Sequence, residues 1–329
     1  MKSRRRRWCF ALFCIVFSSS SCAKRDAPPE KIPIRVAIGM ALDDPTGIAA
    51  LEFRDQLQET LRDRVDVRIF PRGTLGSETE VMEATLAGDI DLVVISNTVL
   101  ANLVPELQVL DVPFGLNSAA HAWRVLDGPV GEELNAKLEK RGLRVMGWSY
   151  AGSRQLMFRD QVVENPAALR GMKLRVPANP IYAETVEAWG ATSTTVAWPE
   201  VYLALAQGVV DGIETAAGPS FDQKHYEVAK VLVRTDHLIY FHVWVVSERS
   251  WMAWPDAIRT AVADAAHEAA MLNRALRLES EKSIFEQFEA KGVTVIVPEA
   301  DAFSGSVSSV VQKHSREHAP LLERIAEYK

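Results

Sequence analysis

Only three cysteines occur among the 329 residues, and none lies beyond Cys22. Whatever folds after that point holds no disulfide and no thiolate metal centre. No apolar run long enough to cross a bilayer follows residue 30, so a multispan membrane protein is excluded. G-x-G-x-x-G, Walker and G-x-S-x-G strings are all missing, which removes the main signatures of dinucleotide enzymes, P-loop NTPases and α/β-hydrolases. With 18 Gly, 16 Pro, 48% hydrophobic and 24% charged residues, collagen-like and low-complexity chains are excluded as well. A single core stops growing at roughly 250–300 residues, so two lobes are expected.

Positive charge concentrates at the start. Lys2 and Arg4 to Arg7 precede the apolar run Trp8 to Phe17, and Ser18 to Ser21 then lead into Cys22. Ten apolar residues rise about 15 Å as a helix, half a hydrocarbon core. Basic, apolar and small in that order predicts a secretory signal peptide over residues 1–21. The small residues ending at Cys22 resemble a bacterial lipoprotein processing site, where the cysteine is lipidated. Ser19 stands where an aliphatic residue is usual, and the alternative is ordinary cleavage to a free periplasmic protein. Losing five of 37 basic residues leaves 32 against 43 acidic ones, a net charge near −11. That balance argues against nucleic-acid binding. Residues 22–33, with Pro28, Pro29 and Pro33, read as a tether.

Strand and helix patterns alternate through the exported part. Strands are expected at Ile34 to Ile38, Val65 to Phe70, Asp91 to Ile95, Arg144 to Trp148 and Met172 to Val176. Helices are expected at Gly47 to Asp63, Thr79 to Leu86, Tyr182 to Trp189 and Glu200 to Gln207. Such alternation predicts an α/β fold with mixed, mostly parallel sheets flanked by helices. Two segments share one grammar: Leu86 to Asp91 and Leu205 to Asp211 each read as helix end, Gly, two residues, Asp, strand. A glycine supplies the left-handed C′ position in each, which favours two like-built lobes. Ala257 to Lys291 repeats apolar residues by three or four up to Gly292. Unbroken, it is about 50 Å of helix, long enough to brace both lobes. The expected division is 34–150 plus 241–280 for lobe I and 151–240 plus 281–329 for lobe II.

One string matches a catalytic pattern: His314-Ser315-Arg316-Glu317-His318 fits H-x-x-E-H. Two His at i and i+4 could hold zinc, with Glu317 as general base. A zinc hydrolase needs a third ligand well downstream, yet only eleven residues follow His318. A solvated helix face is the better reading, and no metal site is assigned. His121, His225, His237, His242 and His267 show no metal spacing. Arg175 ends the strand before Pro177, where open α/β sheets bind ligands. Its guanidinium offers a fixed, planar fork to a carboxylate, although spacing alone fits a structural ion pair somewhat better. Arg154 is equally open, and Trp198 suits core packing or stacking on a ligand.

Several blocks then occur in one order: Phe70-Pro71 with Leu75-Gly76-Ser77-Glu78, Gly88-Asp89-Ile90-Asp91, Asp111-Val112-Pro113-Phe114 and Gly152-Ser153-Arg154. Further on stand Leu169 to Pro177 (LRGMKLRVP), Trp198 to Leu205 (WPEVYLAL) and Gly208 to Glu214 (GVVDGIE). Over Val67 to Gln223 the chain resembles the substrate-binding proteins of tripartite ATP-independent periplasmic (TRAP) transporters, of the C4-dicarboxylate-binding type. The resemblance implies a periplasmic-binding-protein-like bilobal fold and no enzymatic activity. It also implies a receptor that takes a small organic anion into an interlobe cleft and hands it to a permease of small and large membrane subunits. It implies a periplasmic location, no cofactor, a monomer, and membrane contact only through the lipid anchor. Arg175 becomes the carboxylate clamp and Arg154 a second donor; Trp198 packs on the ligand. Glu78, Ser96 and Asn97 fall at first-lobe pocket positions, and Thr215 stands where an Asn is common. Ala41 and Ser96 match positions that are polar or acidic in sialic-acid-binding members, so sialic acid is not expected. A hydroxylated monocarboxylate such as a sugar acid is. The competing readings are a receptor feeding a sensor or another permease, and a periplasmic zinc hydrolase built on His314 and His318.

Overall fold

The computed structural model describes residues 31–116, 118–299 and 301–328. The expected signal peptide, the expected lipidation at Cys22 and most of the expected tether fall outside the described residues. The strands are β1 (Ile32–Ile38), β2 (Val65–Phe70), β3 (Leu92–Ser96), β4 (Leu143–Phe158), β5 (Lys173–Val176), β6 (Thr192–Thr195), β7 (Gly212–Ala216), β8 (Val231–Ser247) and β9 (Thr294–Ile296). The helices are α1 (Pro45–Leu61), α2 (Glu78–Ala87), α3 (Asn97–Leu103), α4 (Ala119–Leu126), α5 (Pro129–Glu139), α6 (Pro180–Ala188) and α7 (Val201–Ala206). They continue with α8 (Ala217–Asp222), α9 (Glu248–Ala253), α10 (Asp256–Glu281), α11 (Ile284–Ala290), α12 (Ser308–Glu317) and α13 (Ala319–Ala326).

The strands lie in the order β2-β1-β3-β8-β4-β7-β5-β6, with β9 on β8. β1 runs parallel to β2 and β3, and β5 runs parallel to β6 and β7. Between these parallel blocks stand the two long strands β4 and β8, antiparallel to each other and to β7 and β3 respectively. Each block has its own pair of cores. In the first, Val93 and Ile95 face α3 and α5, while Leu92 and Val94 face α1 and α10. In the second, Leu156 and Phe158 face α6, while Met157 and Ile213 face α7 and α11. Period-two alternation with both faces covered is why these strands read as apolar runs. The sheets of the two lobes are thus continuous through β4 and β8.

The repeated turn has the same construction in both lobes. Gly88 and Gly208 take left-handed φ of 85° and 70°. Asp91 Oδ2 accepts the Arg35 N–H at 2.7 Å, and Asp211 Oδ2 accepts the Lys173 N–H at 2.8 Å. The Asp91 and Asp211 amides return bonds to the carbonyls of the same two residues. Each aspartate therefore clips its own strand's entry to the parallel neighbour, β1 or β5.

Three expectations change. The tether is shorter, because β1 starts at Ile32 and pairs Pro33 with Asp66 on β2; β3 joins β1 only from Val36, and proline is tolerated at such a strand start. The long helix breaks: α10 spans 26 residues, about 39 Å, and stops before a turn at Lys282 and Ser283 that precedes α11. It still braces both lobes, packing on α1, β4 and α8. Finally, α13 leaves the second lobe, since Leu321 and Ile325 join the first-lobe core beside Leu134 and Leu138.

The two clips differ in load. Buried Asp91 also takes the Arg35 guanidinium and the Ser250 hydroxyl, whereas Asp211 is less buried. Each buried donor left unsatisfied costs about 1–3 kcal/mol. In urea unfolding, Asp91→Ala is expected to lose clearly more stability than Asp211→Ala; equal losses would refute the assignment.

Candidate functional site

The carboxyl ends of the parallel strands converge on one cleft. Its walls are Met40 after β1, Glu78 at the start of α2, Arg175 and Pro177 at the end of β5, Trp198, and Thr215 and Ala216 of β7. Arg154 on β4, Tyr240 on β8 and Pro219 on α8 complete it. The lobes are drawn close together. A Cβ on Gly73, whose φ is +62°, would stand 2.8 Å from Pro199 Cγ of the other lobe. The space left inside is small, with room for one or two waters. An apolar recess lined by Ala37, Leu75, Val81 and Val93 opens behind Glu78 and Trp198.

The two arginines are treated differently. Arg154 is fully buried and pairs with the Glu214 carboxylate through Nε and Nη2; Nη2 also donates to the Glu214 carbonyl at 3.1 Å. His237 Nε2 lies 3.1 Å from the same carboxylate. The rings of Tyr240 and Tyr182 sit 4.3 and 4.8 Å from the guanidinium carbon, within cation–π range. Burial opposes charge on Glu214, but Arg154 and His237 outweigh it and hold the carboxyl down at about 2. Burial also works against the Arg154 cation, and Glu214 more than offsets it.

Arg175 is 4% exposed and has one hydrogen bond to protein, from Nε to the Val196 carbonyl at 2.9 Å. No carboxylate of the described residues pairs with it. Its guanidinium carbon lies 5.7 Å from the Trp198 ring centre. Burial, and then repulsion from Arg154, push its pKa down to about 10. Arginine does not give up its proton in practice, so the shift marks a buried cation that the protein leaves under-compensated. Glu78, opposite, is raised by burial, although the Ser96 N–H and hydroxyl donate to it at 2.9 and 2.7 Å. The Trp198 indole N–H is buried and has no partner.

The cleft therefore unites five of the seven expected site residues: Arg175, Arg154, Trp198, Thr215 and Glu78. Ser96 stands behind Glu78, fixing that carboxylate and capping α3. Asn97 points elsewhere. Its amide donates to Asp111 at 2.7 Å and accepts the Phe241 N–H, so it belongs to a buried network between lobes. There Asp111 also receives Tyr182 and Asn179, at 3.1 and 3.0 Å. Met40, Glu214 and Tyr240 are not singled out by the sequence and carry no spacing signal, although Glu214 lies inside a quoted block; Pro177 reads there only as a strand stop and His237 only as a histidine without metal spacing.

With the geometry in place, likeness to other proteins decides the family. Residues 37–317 match the family model described as bacterial extracellular solute-binding protein, family 7. The chain belongs to this family. A solute-binding protein of Verminephrobacter eiseniae is 33% identical over 263 residues, 80% of this chain and 78% of the relative. The 2,3-diketo-L-gulonate-binding periplasmic protein YiaO of Escherichia coli is 29% identical over 97% of both chains. A solved TRAP periplasmic solute binding protein of Chromohalobacter salexigens, with bound D-glucuronate, superposes with a TM-score of 0.85 at 28% identity. It covers 90% of this chain and 100% of its own. Family 7 membership makes the bilobal architecture and the cleft those of a solute receptor.

The Asp111 network gives a pH dependence. Burial raises this carboxyl from 3.8 to about 7 despite the donors around it. Between those values the folded chain holds a proton that the unfolded chain has released, so stability falls as pH rises through that window. Asp111→Asn is expected to flatten the decline between pH 4.5 and 7.5 in urea melts. Parallel curves for variant and wild type would refute it.

Proposed function

We propose that this chain is the extracytoplasmic receptor of a TRAP transporter, which closes two lobes over a small organic acid and delivers it to the permease's membrane subunits. The observation that carries this reading is the buried Arg175 fork, which pairs with no carboxylate among the described residues. A carboxylate seated there forms charge-assisted hydrogen bonds of roughly 1.5–3 kcal/mol each, and a micromolar ligand needs only about 8 kcal/mol in all. A ligand touching both lobes favours closure by its differential affinity for the closed form. The protein acts as a periplasmic receptor rather than as an enzyme, anchored through a lipid on Cys22 and monomeric. No helix of the described residues is long and apolar enough to cross a membrane, in keeping with that anchor.

Within the acids, the reading is a hydroxylated monocarboxylate of the sugar-acid kind. The Glu78 carboxylate across from Arg175 accepts a hydroxyl and repels a second carboxylate. The unpartnered Trp198 N–H and the Thr215 hydroxyl add polar contacts. The likeness to proteins named for diketogulonate and solved with glucuronate supports the same class.

Two measurements test this. In titration calorimetry with D-glucuronate and other sugar acids, Arg175→Ala is expected to lose about 2–5 kcal/mol of binding. Arg175→Lys also binds poorly, because a point charge does not reproduce the fork; unchanged affinity in either variant would remove the clamp assignment. Glu78→Gln is expected to weaken sugar acids and strengthen C4-dicarboxylates relative to wild type. A selectivity ratio untouched by the substitution would remove Glu78 as the discriminator.

A further inference from the structure

The H-x-x-E-H string is only in part the solvated face that its charge suggests: Arg316 and Glu317 are exposed, but His314 is not. His314 is 3% exposed; it lies on α12, and His318 forms the joint between α12 and α13. The ligand-type atoms of His314, Glu317 and His318 all lie within 4.8 Å of one another. None of the three lines the ligand cleft.

Two observations give this cluster the character of a coordination site. First, His314 Nε2 lies 2.9 Å from Glu184 Oε2 on α6, and Lys313 holds the other oxygen of Glu184 at 2.6 Å. A carboxylate at Nε2 places the ring proton there and leaves the Nδ1 lone pair free, the outer-sphere arrangement of metal-binding histidines. Second, His314 Nδ1 and His318 Nε2 are both buried without a hydrogen-bond partner. Glu317 Oε2 stands 3.1 Å from His314 Nδ1, off the geometry of a hydrogen bond. Two imidazole nitrogens without hydrogen bonds thus stand in one cluster with a carboxylate. Buried polar atoms are rarely left unsatisfied without a reason.

We propose that His314, Glu317 and His318 form a binding site for a divalent transition-metal ion. Two imidazoles and one carboxylate suit zinc, cobalt or nickel rather than magnesium or calcium. Ligand atoms on a tetrahedral ion stand about 3.4 Å apart at bond lengths near 2.1 Å, so side-chain rotations of Glu317 and His318 would have to close the set by about an ångström. A fourth position stays with water. The ion would sit where α12, packed on α6 of the second lobe, turns into α13, packed on α5 of the first. It would therefore fix the angle of a connection between lobes, with no part in hydrolysis.

The test is zinc titration calorimetry on the full chain at pH 7.5, with Cys9, Cys14 and Cys22 alkylated so that no thiolate competes. One equivalent is expected to bind the wild type. His318→Ala and Glu317→Gln, checked for folding by circular dichroism, are each expected to bind at least tenfold more weakly. Cobalt bound to the wild type is expected to show visible bands of nitrogen and oxygen ligation that His318→Ala loses. His314→Ala belongs in the series, but its buried ring makes His318→Ala the deciding variant. Absence of zinc binding by the wild type, wild-type affinity in His318→Ala, or equal binding of magnesium would each overturn the proposal.

Discussion

A cation buried without its own anion is the constraint on which this molecule turns. Arg154 and Arg175 occupy one cleft and repel each other, yet Glu214 pairs directly only with the first. Desolvating an ion costs several kcal/mol even after relaxation. The Val196 carbonyl, the Trp198 face and the fields of Glu214 and Glu78 return part of that cost to Arg175. The remainder falls on the closed arrangement, which is where the guanidinium is taken out of water. On the proposed reading, an anion brought in from solution would supply what the protein withholds, and closure and capture would become one event.

The architecture delivers these charges by repetition. Each lobe ends its parallel strands at the same cleft, and each uses a left-handed glycine followed by a strand-clipping aspartate to set the entry of a central strand. Arg175 and Thr215 arrive on neighbouring strand ends of the second lobe; Met40, and Ser96 behind Glu78, arrive on those of the first. The repeated clip holds both halves of the site in register.

Much of this was legible because it rests on local chemistry. Glycines before β3 and β7, the Pro177 stop after Arg175 and the apolar strand runs report short-range geometry, which sequence carries directly. The α10 break did not show, because Lys282 and Ser283 can continue a helix as readily as end one. Of β4 only Arg144 to Trp148 showed, and β8 did not show at all. A strand running from one lobe to the next needs no turn residue where it crosses, and the fold registers the passage only through bulges. The family resemblance puts Asn97 at a pocket position together with Ser96, but side chains one residue apart point different ways at a strand-to-helix junction, and Asn97 turns to Asp111. The pairing of Arg154 with Glu214 brings together residues 60 positions apart, which no spacing rule connects.

The crossing of β4 and β8 has register shifts between Tyr150 and Gly152 and between Arg154 and Leu156. Bulges concentrate twist and bending where they occur. Arg154 lies between these two of the three shifts, on strands that both lobes share, whereas Arg175 stands out at the end of β5. On the proposed receptor reading, rotation at the bulges would make the first charge a nearly fixed post and the second the moving jaw.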